Sequence, residues 1–194
     1  MQVTNVLTRN LERSIAAKQD MLKDHAQNEI FSIAVNKVIE CYKNGGRLYI
    51  AGNGGSAADA QHLAAEFVSK LACDRAPLPA EALTVDSSIL TAIGNDYGYE
   101  HTFSRQLLGK ATEKDIFLGI TTSGNSENIL NALSACKSRH IPSLLFTGHD
   151  GGKAKELADY CIIAPGITTA TIQELHIVLA HSLCECVEIA LFKE

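Results

Sequence analysis

Two sets of side chains in this sequence have the types and spacing for acid–base chemistry. His62 and Glu66 stand four positions apart in a run, 56–71, that reads as helix, so they share one face and reach one small site. An imidazole and a carboxylate are the groups most often used to move protons near neutral pH. Read alone, such a pair is more often a weak contact on an exposed helix face than chemistry. The second set lies near the C-terminus. Gln173 and His181 are eight residues apart, about two helical turns, and can point the same way, whereas Glu174 and His176 fall off that face. Taken singly, His181 is also readable as a core or interface histidine satisfied by a neighbouring acceptor.

Two loops could hold an anion. Gly52, Asn53, Gly54, Gly55 and Ser56 follow an apolar run and open a helix. The glycines allow left-handed geometry and close approach of a ligand, and Ser56 suits a helix cap. Free amides at a helix start, with the peptide dipoles behind them, favour a negative group. The segment lacks the Lys of a Walker loop, and Ala57 occupies the last glycine position of the dinucleotide pattern. Thr121, Thr122, Ser123 and Ser126 occupy the equivalent place after another apolar run, offering hydroxyl donors without Lys or Arg. Each loop alone reads also as a tight turn or a serine-rich cap. Together they place a phosphate between 52–56 and 121–126, at the carboxyl edge of a parallel sheet.

The elements that must position these groups follow from patterning. Val6, Leu7, Leu11, Ile15 and Leu22, then Ile30, Ile33, Ala34, Val38 and Ile39, mark two helices within 1–43, ended by Gly45 and Gly46. Strands are expected at 48–51, 82–85, 116–120, 143–146 and 161–164. Helices are expected at 56–71, 87–93, 102–108, 126–138, 153–158 and 171–191, with turns at 94–99 and 147–152. Strand–helix alternation with apolar strands predicts an α/β fold, a five-stranded parallel sheet with helices on both faces. The N-terminal helical pair is too small for a separate domain and is expected to pack on the core or on a neighbouring subunit.

The chain has 194 residues, 46% hydrophobic and 20% charged, which suits one compact core. Its net charge of -5, without a run of Lys and Arg, argues against nucleic acid. No signal peptide is read at 1–10 and no long uncharged apolar segment elsewhere, so no membrane partner and a cytoplasmic location are expected. The six cysteines read as free thiols, with Cys184 and Cys186 pointing apart on a helix. His149, in a glycine-rich turn, reads mainly as backbone geometry, and His101, near the Asp96 turn, either as a surface residue or as the border of a site in a neighbouring subunit.

The two loops resemble those of the sugar isomerase, or SIS, superfamily, which binds phosphosugars on a Rossmann-like sheet. Nearly the whole chain resembles the bacterial phosphoheptose isomerase family, through the N-terminal helical pair and segments 51–66, 90–99, 119–126, 145–152 and 173–181. The resemblance implies a single SIS domain over 1–194, with 1–43 as a helical extension. It implies phosphate contacts from Ser56, Thr121, Ser123 and Ser126, supported by the amides of Gly54 and Gly55. Sugar contacts would come from Asn53, Asn95, Asp96 and Thr122, with Glu66 and Gln173 near the reacting end. It also implies one zinc ion per subunit on His62, Glu66, Gln173 and His181, with Glu66 as base and His181 as acid. The implied reaction is aldose–ketose isomerisation of D-sedoheptulose 7-phosphate to D-glycero-D-manno-heptose 7-phosphate, toward lipopolysaccharide or another surface glycan. A homotetramer is implied, with sites that can draw on neighbouring subunits.

Two positions depart from the common pattern. Lys70 stands where many relatives have Arg, keeping the charge without the planar fork. Ala170 and Thr171 precede Gln173 where relatives often carry a polar or basic residue. The alternatives are a non-catalytic SIS protein that binds a replication initiator, or an isomerase or sensor for another phosphosugar. Relatives of the first kind typically lack the counterparts of Glu66 and His181, and the 173–181 pattern argues against the second.

Overall fold

The computed structural model describes residues 3–193, so Met1, Gln2 and Glu194, at the ends of the expected 1–194 domain, lie outside the described residues. Two helices come first, α1 (Val3–Lys23) and α2 (His25–Lys43), parted at Asp24, whose side chain accepts the Gln27 amide at 3.0 Å and caps α2. Strands and helices then alternate: β1 (Leu48–Gly52), α3 (Gly55–Val68), β2 (Ala80–Ala82), α4 (Ser87–Tyr97), α5 (Thr102–Lys110), β3 (Ile116–Thr121), α6 (Glu127–Ser138), β4 (Ser143–Gly148), β5 (Tyr160–Ala164) and α7 (Thr169–Phe192). Short 3-10 turns lie at Tyr99–His101 and Lys153–Glu156.

The five strands are all parallel, in the order β2-β1-β3-β4-β5. From β1 the chain runs outward to β2, then crosses back to β3 on the other side of β1. The carboxyl ends of β1 and β3 are therefore neighbours, with Gly52 in register with Ile120, at the point where the winding reverses. That brings 52–56 and 121–126 side by side.

Every residue of β1, β3 and β4 is buried, because helices cover both faces of the sheet. Leu48, Ile50, Ile116, Leu118, Ile120, Leu144 and Phe146 face one layer, packed with residues of α1, α2, α3 and α7. Tyr49, Ala51, Phe117 and Leu145 alternate to the other, against Phe103, Leu107, Ile129 and Leu133. The two helices bearing the acid–base candidates, α3 and α7, thus lie in the same layer. By length and composition α7 could cross a membrane, yet Ile172, Leu175, Leu179, Leu183 and Val187 are buried within this core.

Several expectations need correction. Helix α4 continues through Gly94 and Asn95 to Tyr97, where a turn from 94 was expected; Gly98 at φ 95° ends it instead. Strand β2 covers Ala80–Ala82 rather than 82–85: parallel pairing with Leu48–Ile50 fixes it, and Val85 is exposed. The 153–158 helix is a 3-10 turn. In α1 the expected stripe faces outward: Leu7, Leu11, Ile15 and Leu22 are exposed, while Ser14, Ala17 and Met21 are buried.

Candidate active site

The glycine loop meets α3 with Gly54 at φ 56° as the capping residue, and no side chain caps the helix. Ser56 is therefore not the cap expected of it. It sits in the first turn, buried to 3% exposure. Gly52 is needed because a Cβ there would come within 2.5 Å of the Ser56 carbonyl oxygen. Across the sheet edge, Ser126 precedes α6 without capping it through its side chain; its Oγ lies 3.1 Å from Oγ1 of Thr121. Neither Ser56 nor Ser126 spends its hydroxyl on a helix end, which leaves donors for a ligand beside two helix N-termini. Thr122 is half-buried and Ser123 exposed. Gly124 at φ 65° backs this loop onto the next: a Cβ there would lie 2.0 Å from the Gly151 carbonyl oxygen. His149, at φ 54°, belongs to that supporting turn.

Helix periodicity brings His62 and Glu66 together, and the packing of α7 on α3 adds His181. Oε1 of Glu66 lies 3.1 Å from Nε2 of His62 and 3.3 Å from Nε2 of His181. The two rings meet edge to face, centroids 5.2 Å apart. Oε2 of Glu66 and Nε2 of His181 are buried without a hydrogen-bond partner. A buried polar atom left unpaired is costly, so such atoms point to a missing ligand or proton. Ligand atoms of His62, Glu66 and His181 all lie within 4.8 Å of one another and could hold a metal ion. Asp59, one turn before His62, also buries an unpartnered oxygen; burial raises its pKa, with the nearby His62 acting in the opposite direction.

Gln173 is drawn to the other end of α3. Its Nε2 would lie 2.6 Å from a Cβ at Gly55, so glycine there admits the amide beside the 52–56 loop. Asn95 and Asp96 end α4 exposed and bonded to each other at 2.8 Å; among the described residues neither is hydrogen-bonded to the two loops. Lys70 pairs with Asp74 at 3.5 Å on the surface. Thr171 is buried and bonded to the α7 cap, Thr168, and Ala170 is exposed. His176 lies off the Gln173–His181 face, fully buried, with Nε2 3.0 Å from the Thr147 carbonyl oxygen. Burial pushes its ring down to about 4, opposed by that hydrogen bond.

Sequence reasoning missed the partners of Asn53. Its amide exchanges two 2.8 Å hydrogen bonds with the buried amide of Asn128, and its Oδ1 also accepts the Tyr99 hydroxyl at 3.0 Å. These contacts leave Asn53 one free N–H to present. A cleft of about 540 Å³ opens there, lined by Asn53, Tyr99, Glu100, Ser126, Glu127 and Asn128. Asn128 begins α6 just past the hydroxyl loop, the one local signal that could have drawn attention to it.

The sequence and the fold have known counterparts. The SIS domain family matches residues 12–148. The phosphoheptose isomerase of Aneurinibacillus thermoaerophilus is 52% identical over 184 residues, 95% of this chain and 93% of that protein. The structure of the phosphoheptose isomerase from Neisseria gonorrhoeae superposes with a TM-score of 0.89 at 40% identity, covering 96% of this chain and 99% of the other. The corresponding structure from Francisella tularensis gives 0.92 at 34% identity, covering 96% and 98%. Sharing its fold, nearly its whole length and between 34% and 52% of its aligned residues with these proteins, the chain belongs to the phosphoheptose isomerase family of SIS-domain proteins.

Proposed function

We propose that this chain is an aldose–ketose isomerase that converts D-sedoheptulose 7-phosphate to D-glycero-D-manno-heptose 7-phosphate. The observation that carries the reading is the carboxylate of Glu66 held between two imidazoles, with its second oxygen buried and unpartnered, on the helix that starts at the phosphate loop.

The phosphate sits between the two loops, held by the hydroxyls of Ser56, Thr121, Ser123 and Ser126 and the amides of Gly54 and Gly55. It is a remote handle whose binding energy aligns the other end of the sugar. Asn53, Asn95, Asp96 and Thr122 hold sugar hydroxyls, and Gln173 lies between the phosphate and reacting ends. Glu66 takes a proton from C1 of the ketose, the C2 carbonyl becomes an enediol oxygen, and Glu66 returns the proton to C2. His181 moves the accompanying proton from the C1 oxygen to the C2 oxygen.

The donor set fits zinc. Zinc–nitrogen and zinc–oxygen bonds near 2 Å place tetrahedral ligands about 3.3 Å apart, and Glu66 Oε1 stands 3.1 and 3.3 Å from the two histidine nitrogens. His62, Glu66 and His181 would hold the ion; Gln173, the fourth ligand the resemblance implies, has its amide beside Gly55 and would have to swing along α3 to join them. Bound there, zinc supplies Lewis-acid stabilisation of negative charge on the sugar oxygens.

The whole chain forms one SIS domain with 1–43 as an extension, and it assembles as a homotetramer. The outward apolar face of α1 supports the assembly, because Leu7, Leu11, Ile15 and Leu22 stand exposed along one helix. A cytoplasmic location accords with six free cysteines, and the product would feed synthesis of heptose-bearing surface glycans such as lipopolysaccharide. A role confined to binding a protein partner does not call for a carboxylate between two imidazoles beside a phosphate loop.

Isomerisation in deuterium oxide tests the proton path. Wild-type protein is expected to introduce solvent deuterium at the transferred position and Glu66→Gln to introduce none. Equal incorporation by both proteins removes Glu66 from the path.

A further inference from the structure

An ion pair with both side chains fully buried joins the two helices that carry the acid–base groups. Nε of Arg75 lies 2.9 Å from Oε1 of Glu188, and both side chains have 0% exposure. Arg75 reaches back to the end of α3: Nη2 donates to the carbonyl of Glu66 at 3.0 Å and Nη1 to that of Phe67 at 2.8 Å. A guanidinium on the last carbonyls of a helix satisfies orphan acceptors and complements the negative end of its dipole. Glu188 lies two turns beyond His181 on α7, on nearly the same face. It also accepts the amides of Leu71 and Ala72 at 2.9 Å and of Cys73 at 3.3 Å, fixing the connection after α3. Burial alone would raise the pKa of Glu188, but those amides and Arg75 hold it below the usual carboxylate range.

The link has an address within the site. One end is the backbone of Glu66 itself; the other is the helix of His181. Helix packing alone leaves neighbouring helices free to slide by fractions of an ångström, and catalytic geometry is sensitive on that scale. A buried strut in which every guanidinium nitrogen and both carboxylate oxygens are hydrogen-bonded removes that freedom.

We propose that Arg75 and Glu188 are positioning residues that set the separation of Glu66 from His181 without touching the sugar. This rests on the functional reading above. Because the same separation places donors for a metal ion, the strut also governs zinc affinity.

The test uses the full chain as wild type, Arg75→Ala and Glu188→Asp, assayed where circular dichroism shows the fold intact. Glu188→Asp keeps the charge pair, shortens the strut by one methylene and answers the question if Arg75→Ala does not fold. In each variant kcat for sedoheptulose 7-phosphate is expected to fall tenfold to hundredfold, as orders of magnitude, with KM changed less than about twofold. Zinc affinity, measured against a chelating indicator, is expected to fall about tenfold or more. Millimolar guanidinium should restore both in Arg75→Ala, whereas equal sodium chloride should not. Either folded variant retaining wild-type kcat and zinc affinity overturns the proposal, as does a loss in KM alone. If wild type turns over no sugar, the functional reading fails, and the zinc and guanidinium measurements still decide the strut.

Discussion

Glu66 and His181 meet across two helices from distant parts of the chain, with Oε1 of the carboxylate 3.3 Å from Nε2 of the ring. His62 approaches the same oxygen from one turn back along α3. The other oxygen of Glu66 is buried and unpaired, so the carboxylate is fixed at one end and open at the other.

Glu66→Gln preserves shape and removes the carboxylate proposed as base. Turnover is expected to fall by about 10²–10⁴-fold, the usual range for losing a general base, while substrate affinity measured by calorimetry changes little. Wild-type turnover by this variant would dismiss Glu66 as base.

Ser126→Ala removes a hydroxyl that lies 3.1 Å from Thr121 and is not used to cap α6. Losing one hydrogen bond to a charged phosphate costs about 1.5–3 kcal/mol, so KM should rise about tenfold or more. The expected kcat change is smaller; a fall in kcat at constant KM would place the phosphate elsewhere.

His62→Ala removes one of the three clustered donors. Bound zinc, measured by mass spectrometry of the native protein, is expected to drop from one per chain to a small fraction. Full zinc occupancy in the variant would exclude His62 as a ligand.

His176 gives the fold an acid sensitivity. Its buried ring has a pKa lowered to about 4 from 6.5, so below pH 6.5 the unfolded chain gains a proton that the folded chain refuses. Stability is then full above pH 6.5 and declines as pH falls toward 4, by at most about 3 kcal/mol. In His176→Gln, thermal unfolding should show a shallower decline across that window; an unchanged slope would assign the sensitivity to other groups.

Leu11→Asp places a charge on the exposed face of α1, where Leu11 is 54% exposed. Light scattering is expected to show a tetramer for the wild type and smaller species for the variant. A tetrameric variant would direct the interface to another surface.

The parts of this structure legible in sequence are those set by local chemistry. The glycine and hydroxyl loops, the His62–Glu66 pair and the shared face of Gln173 and His181 all follow from short-range spacing. The resemblance linked α3 to α7, but which atoms meet required the packing. Glu188 carries no local mark and Asn128 only its place just past the hydroxyl loop: one carboxylate and one amide in helices become notable opposite Arg75 and Asn53. Periodicity likewise marked α1 as amphipathic yet did not say that its small residues, Ser14 and Ala17, would face the core. In β2, Ala80 and Glu81 are poor strand formers, and pairing with β1 rather than propensity makes the strand.

The most direct measurement incubates metal-stripped protein with sedoheptulose 7-phosphate, with and without added zinc, and follows the aldose product by NMR. Conversion that rises on adding zinc is the predicted result. Absence of conversion under both conditions, with the sugar phosphate still bound, would contradict the assignment of this site as an isomerase.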